Sequence, residues 1–291
     1  MTSASSPDPS GEAATPRRPL VPLAIGVVSG SFGGLLGIGG GVVMVPLLTG
    51  WARLDQHSAH GTSLVGVVFT GLVGAVVYGR GAAVDWGAAI LLACGAVPAT
   101  VLASRYSRRV PAATLRRFFG GFLLLTALLL PFKGLLPVTG LLNGGIAAAS
   151  LVVLGIVAGG LSGLLGIGGG LLMVPALALG PGFAQQVAQG TSLAAMVPAG
   201  AMGAVVHARL GHVDRRVAIP LMAGIALGSW LGGSGALALP AGALRIAFSL
   251  LLVWLGLRYL RTPGDPPSRP RAGAATIPAA PRTLEGERPE G

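Results

Sequence analysis

Two glycine triplets, Gly39-Gly40-Gly41 and Gly168-Gly169-Gly170, are the residues of this chain best suited to chemistry. Three consecutive glycines cost a helix about 3 kcal/mol at ~1 kcal/mol each, so an apolar helix that reaches them stops. The segments beyond them, Val42 to Leu48 and Leu171 to Leu177, are apolar enough to restart as short helices. A helix N-terminus presents unbonded N–H groups and the positive end of a dipole, and both favour an anion. Gly37 and Gly166 precede the triplets within the same two breaks. Downstream stand two matching hydroxyl pairs, Thr62-Ser63 and Thr191-Ser192, with His60 and Gln189 at equivalent places before them. These hydroxyls either cap the helix that follows or donate to the same anion. His60 is a titratable donor where Gln189 is a fixed one.

The pairing of these residues has one origin. The blocks Gly34-Leu-Leu-Gly-Ile-Gly-Gly-Gly-Val-Val-Met-Val-Pro46 and Gly163-Leu-Leu-Gly-Ile-Gly-Gly-Gly-Leu-Leu-Met-Val-Pro175 agree at eleven of thirteen positions, 129 residues apart. The same offset aligns Gly61-Thr-Ser-Leu64 with Gly190-Thr-Ser-Leu193, Arg80 with Arg209 and Val84-Asp85 with Val213-Asp214, without a gap. The chain is a duplication, and helix breaks at matching places in two apolar halves point to a transport site. Alanine at Gly40 or Gly169 is then expected to remove anion movement and leave the fold intact. The scattered glycines Gly71, Gly74, Gly224 and Gly228 read instead as small-residue contacts between helices.

Composition defines what must position these residues. Hydrophobic residues make up 52% of the 291 and charged residues 10%, with a mean hydropathy of +0.76, which fits an all-α polytopic membrane protein and not a soluble domain. Apolar runs lie at 21–50, 62–79, 86–104, 115–132, 146–180, 190–207, 217–239 and 243–260, most of them near the ~20 residues that span a ~30 Å hydrocarbon core. The expected organisation is a disordered tail over 1–19, membrane repeats of four segments each over 20–133 and 146–261, and a disordered Pro/Arg/Glu-rich tail over 262–291. Arg17-Arg18 before the first run resembles a signal-peptide start without a cleavage pattern, so that run is read as retained.

The net charge of +11 is scattered between apolar runs without aromatic interleaving, so it reads as topology signal and no nucleic-acid partner is expected. The single cysteine, Cys94, leaves no disulfide or CxxC site. No Gly-Lys-Ser/Thr follows the glycines, so a nucleotide loop is disfavoured, and no cofactor or metal ligand set is expected. No HExxH, Ser/His/Asp or paired-carboxylate arrangement lies in the spans, so no enzyme is expected. Between residues 20 and 261 the only acids are Asp55, Asp85 and Asp214, all at run boundaries. A carboxylate proton relay is therefore unsupported, and His60 or His207 are left for any proton coupling. Arg80, Arg209, Asp85 and Asp214 read first as interfacial anchors or ion pairs.

Runs 21–50 and 146–180 exceed a single span. If both cross the membrane once, the 16 Lys and Arg between 17 and 261 divide nine to seven between its two sides. If each instead turns back at its glycine block, they divide thirteen to three, as the positive-inside rule prefers. A hairpin plus three spans crosses an odd number of times, so this choice predicts an inverted-topology repeat; the rival is eight spans and a parallel repeat.

The doubled Gly-Leu-Leu-Gly-Ile-Gly-Gly-Gly-x-x-Met-Val-Pro block, each copy followed by Gly-Thr-Ser-Leu, resembles the sulfite exporter TauE/SafE family, also called the four-toluene-sulfonate uptake permease family. The likeness covers residues 20–261. It implies a multi-pass transporter of the bacterial cytoplasmic membrane that moves sulfite, a sulfonate or another organic anion, with export the expected direction. With the reading of the residues, the expected substrate contacts are the backbone at Gly37, Gly39, Gly40, Gly41, Gly166, Gly168, Gly169 and Gly170, supported by Thr62, Ser63, Thr191, Ser192, His60 and Gln189. The expected partners are a small anion and the bilayer, with proton or ion coupling and oligomeric state left open. The alternative is a membrane scaffold or assembly factor whose glycines serve only helix contacts.

Overall fold

A computed structural model describes residues 20–106, 112–135, 145–165, 168–211 and 213–261. The tails 1–19 and 262–291, and Gly166, lie outside the described residues. The described residues are helical: α1 (Leu20–Leu36), α2 (Gly41–Gly50), α3 (Gln56–Arg80), α4 (Trp86–Tyr106), α5 (Ala112–Leu129) with a 3₁₀ turn over Leu130–Leu135, then α6 (Gly145–Leu165), α7 (Gly170–Leu179), α8 (Gln185–Arg209), α9 (Arg215–Ala238) and α10 (Ala241–Arg261). From the second element of each half onward, helix starts recur 129 residues apart. Six helices among these residues are long and apolar enough to cross a membrane. Their outer faces carry Ile90, Leu102, Val153, Ile219 and Leu250, each more than half exposed, a surface suited to hydrocarbon and not to water.

Each long run is two helices separated by its glycine block. α2 and α7 have ten residues each, or about 15 Å at ~1.5 Å per residue, half a hydrocarbon core. α2 runs back beside α1: Gly40 lies against Ser29 and Gly33, while Met44 and Leu48 share a buried cluster with Ile25, Leu54 and Ala59. α3 begins at Gln56, capped by the Asp55 carboxylate on the Ser58 N–H, and α8 begins at Gln185. Both helices therefore start about a turn and a half before the Gly-Thr-Ser elements. Those elements lie inside the helices, which removes the capping role for Thr62, Ser63, Thr191 and Ser192.

The packing exchanges partners between halves. α1 pairs with α9, and α6, its counterpart, pairs with α4. Along α1, Gly26, Gly30 and Gly34 meet Leu221, Ile225 and Ser229 of α9, and along α6, Gly155, Gly159 and Gly163 meet Leu92, Ala96 and Thr100 of α4. Both pairs are parallel, and small residues every four positions bring backbone against backbone. Gly224 and Gly228 face α1 in this way, while Gly71 and Gly74 sit against Leu193 and Val197 of α8. At the centre, α3 and α8 are antiparallel: Leu193 packs on Gly74, Val197 on Gly71 and Leu64 on Gly203.

Candidate functional site

The two glycine breaks meet where α3 and α8 cross. Gly170 lies against the Gly37 carbonyl and Ile38 Cα, and Gly168 against the Ile38 carbonyl. Gly39 and Gly168 both face Val67 of α3 and Met196 of α8, residues that are themselves 129 positions apart. The N-termini of α2 and α7 are thus brought together in the protein interior, where Ile38, Val67 and Met196 are at most 2% exposed.

Neither N-terminus is capped by a side chain. The first amides to find backbone acceptors are Val43 and Met44 on Gly40 O, and Leu172 and Met173 on Gly169 O. Among the described backbone bonds, none takes up the N–H groups of Gly39, Gly40, Gly41 and Val42, or of Gly168, Gly169, Gly170 and Leu171. A buried N–H without an acceptor is costly, and a helix N-terminus without a side-chain cap favours negative charge beside it.

The two triplets differ in conformation. Gly40 has φ 74°, and a side chain there would place its Cβ 2.5 Å from the Ser29 carbonyl oxygen. Gly169 has φ −70° and ψ −4°, which any residue adopts. Alanine is therefore the milder probe at Gly169, where its Cβ would lie 3.1 to 3.2 Å from Ala158 and the Met173 methyl and ask only a small shift; at Gly40 it disrupts the turn itself, contrary to the expectation that both would be tolerated.

The polar residues divide. Gln189 and Ser192 join the first break: Ser192 Oγ donates to Gly37 O at 2.6 Å, and the carbons of the Gln189 side chain cover Gly37. The Tyr78 hydroxyl lies 2.9 Å from Gly34 O and 3.1 Å from Gln189 Oε1, leaving Gln189 Nε2 buried without a partner. Tyr78 did not stand out in the sequence, although it is the 129-residue counterpart of His207, and that offset was the signal that could have found it. Ser63 Oγ donates to the His60 carbonyl. Thr62 and Thr191 bond to loops of the opposite half. Thr191 Oγ1 accepts the Asp85 N–H at 2.9 Å and Thr62 Oγ1 accepts the Asp214 N–H at 3.3 Å, so each pins the loop before α4 or α9 to the other half. Gly166 is outside the described residues.

The acids cap helices. Asp85 Oδ1 accepts from Ala88 N, and Asp214 Oδ1 from Arg216 N and Val217 N. Thr191→Val should accordingly act as a structural change. Leaving the Asp85 N–H without its acceptor should cost about 1–3 kcal/mol, read as a lower thermal midpoint with anion affinity retained. A loss of affinity at unchanged stability would return Thr191 to the site.

The profile of the sulfite exporter TauE/SafE family matches residues 2–130 and 151–283. The chain is similar to Probable membrane transporter protein YunE of Bacillus subtilis, 30% identical over 234 residues that cover 72% of this chain and 84% of the relative. YdhB of the same organism, also named a probable membrane transporter protein, is 26% identical over 244 residues, 83% of this chain and 98% of the relative. A Xylella fastidiosa protein with that description is 30% identical over 223 residues, 73% and 83%. No solved structure matches the chain. The apolar helices and these relatives make it a multi-pass protein of the cell membrane. With its doubled glycine breaks and its match in both halves, the chain belongs to the sulfite exporter TauE/SafE family of membrane transporters.

Proposed function

We propose that the protein is a secondary transporter that exports a small oxyanion, sulfite or a sulfonate, through a site between the N-termini of α2 and α7. The observation that carries this reading is the meeting of two uncapped, buried helix N-termini at the crossing of α3 and α8. An oxyanion accepts several hydrogen bonds at once, and charge-assisted bonds are about twice as strong as neutral ones. Gln189 Nε2 is a further donor beside the first break.

The same reading takes the repeats as inverted in the membrane. Antiparallel packing of the equivalent helices α3 and α8, with α2 folded back beside α1, supports it, as does the thirteen-to-three division of basic residues. Opposed halves around one central site suit alternating access, in which one half rocks against the other.

The test is anion-dependent thermal stabilisation of the purified protein over sulfite, sulfate, thiosulfate, methanesulfonate and acetate. A bound anion stabilises by RT ln(1 + [L]/Kd), about 2.7 kcal/mol at a hundred times Kd, so sulfite or a sulfonate should stand above acetate. Gly169→Ala, which sets a methyl against Ala158 and Met173 at the N-cap of α7, should stay folded and weaken that anion at least tenfold. Equal shifts for every anion, or an unaltered Gly169→Ala, would favour the scaffold reading.

A further inference from the structure

The α3–α8 crossing keeps one register over its length. Residues in contact are 74 with 193, 71 with 197 and 64 with 203, and at one end Tyr78 meets Gln189. Continued one turn past Leu64 and Gly203, this register sets His60 across from His207. The duplication says the same: His60 is the counterpart of Gln189, and His207 of Tyr78. One end of the crossing thus carries a hydroxyl and an amide, neither of which titrates near neutral pH, and the other carries two imidazoles. His207 is 4% exposed and His60 half-buried. The Tyr78–Gln189 pair reaches the first glycine block through Gly34 and Gly37.

Among the described residues, the charged groups at the histidine end include Arg53 and Asp55 before α3, Arg105 ending α4, Arg209 ending α8, Asp214 and Arg216 at the start of α9, and Arg258 and Arg261 ending α10, with His57, His212 and Arg215 beside them in sequence. Arg53, Asp55, Arg105, Arg209 and Arg216 are exposed, and the Asp214 carboxylate accepts from the first α9 amides. Protonation of the imidazole pair adds positive charge at this end of the crossing.

Building on the anion-transporter reading, we propose that His60 and His207 form a proton-binding site coupled to the anion: the proton and the anion bind cooperatively, and the Tyr78–Gln189 end is its fixed, pH-insensitive counterpart. Binding linkage is reciprocal. An anion that prefers the protonated pair raises its proton affinity, so affinity for the anion rises as pH falls through the histidine range near ~6.5. No bond is made or broken beyond transfer of one proton from solvent to an imidazole nitrogen.

The experiment titrates the purified full chain calorimetrically with methanesulfonate, which carries a constant charge across this range, in two buffers of different ionisation enthalpy. The expected result is net proton uptake on binding near neutral pH, and affinity about tenfold higher at about pH 6 than at about pH 8.5. The variant His60→Gln/His207→Tyr, which copies the opposite end, should bind methanesulfonate without uptake or pH dependence; His60→Gln alone should reduce the uptake if the double variant does not fold. Binding without linked protons in the unaltered protein overturns this proposal and leaves the anion site standing. Unchanged proton uptake in both variants overturns it too, and absence of binding at every pH removes the anion site together with it.

Discussion

Gly224→Val is expected to separate α1 from α9 and to lower stability by more than about 3 kcal/mol. A Cβ at Gly224 would fall inside the Leu23 carbonyl oxygen and beside the Val27 amide, all backbone, so no rotamer change relieves it. Overpacking in a core that can adjust costs about 1–3 kcal/mol. Here the helix axes must move apart, and Gly228 against Val27 and Gly232 against Ser31 lose their contact at the same time. The duplicated interface should respond likewise, since Gly155 meets the Leu92 carbonyl oxygen as closely. The comparison is Gly160→Ala on α6, where no neighbouring atom lies within 4 Å; relief of a mid-helix glycine there should add up to about 1 kcal/mol. Thermal unfolding of the purified proteins reads both. Equal midpoints for Gly224→Val and the parent protein would mean that the α1–α9 contact carries little of the fold.

How far the sequence reveals this architecture depends on which physical signal each element uses. Helix breaks at the triplets and short helices beyond them follow from glycine's backbone cost, and they occur at Gly41–Gly50 and Gly170–Leu179. Glycine spacing marks helix contacts, but not which helix is met: the exchange of α1 to α9 and α6 to α4 is tertiary and has no local trace. The starts of α3 and α8 lie earlier than hydropathy suggests, because Gln56 to Ser58 and Gln185 to Gln186 are polar residues in helical turns. Thr62 and Thr191 match as hydroxyl pairs in sequence, whereas their roles are set by the Asp214 and Asp85 amides of the opposite half. The pairing of Tyr78 with Gln189 spans 111 positions and required the antiparallel register to be seen.

That pairing carries the largest expected effect on function. Gln189→Glu keeps the side-chain volume and the oxygen that faces Tyr78, but replaces the buried, unpartnered Nε2 with a second acceptor and a negative charge. Two like charges ~4 Å apart in an effective dielectric of ~20 repel by about 4 kcal/mol, or about a thousandfold in affinity, so methanesulfonate or sulfite binding should fall below detection. Gln189→Met removes the donor without adding charge and should weaken binding by about tenfold, the net worth of one hydrogen bond. Tyr78→Phe should fall between stability and affinity: it leaves the Gly34 carbonyl without its partner, costing about 1–3 kcal/mol, and frees the Gln189 amide to turn away from the break. Calorimetric affinities ordered parent, Met variant, Glu variant would support a donor role for Gln189. A Glu variant that binds the anion as tightly as the parent would exclude the amide from the proposed site.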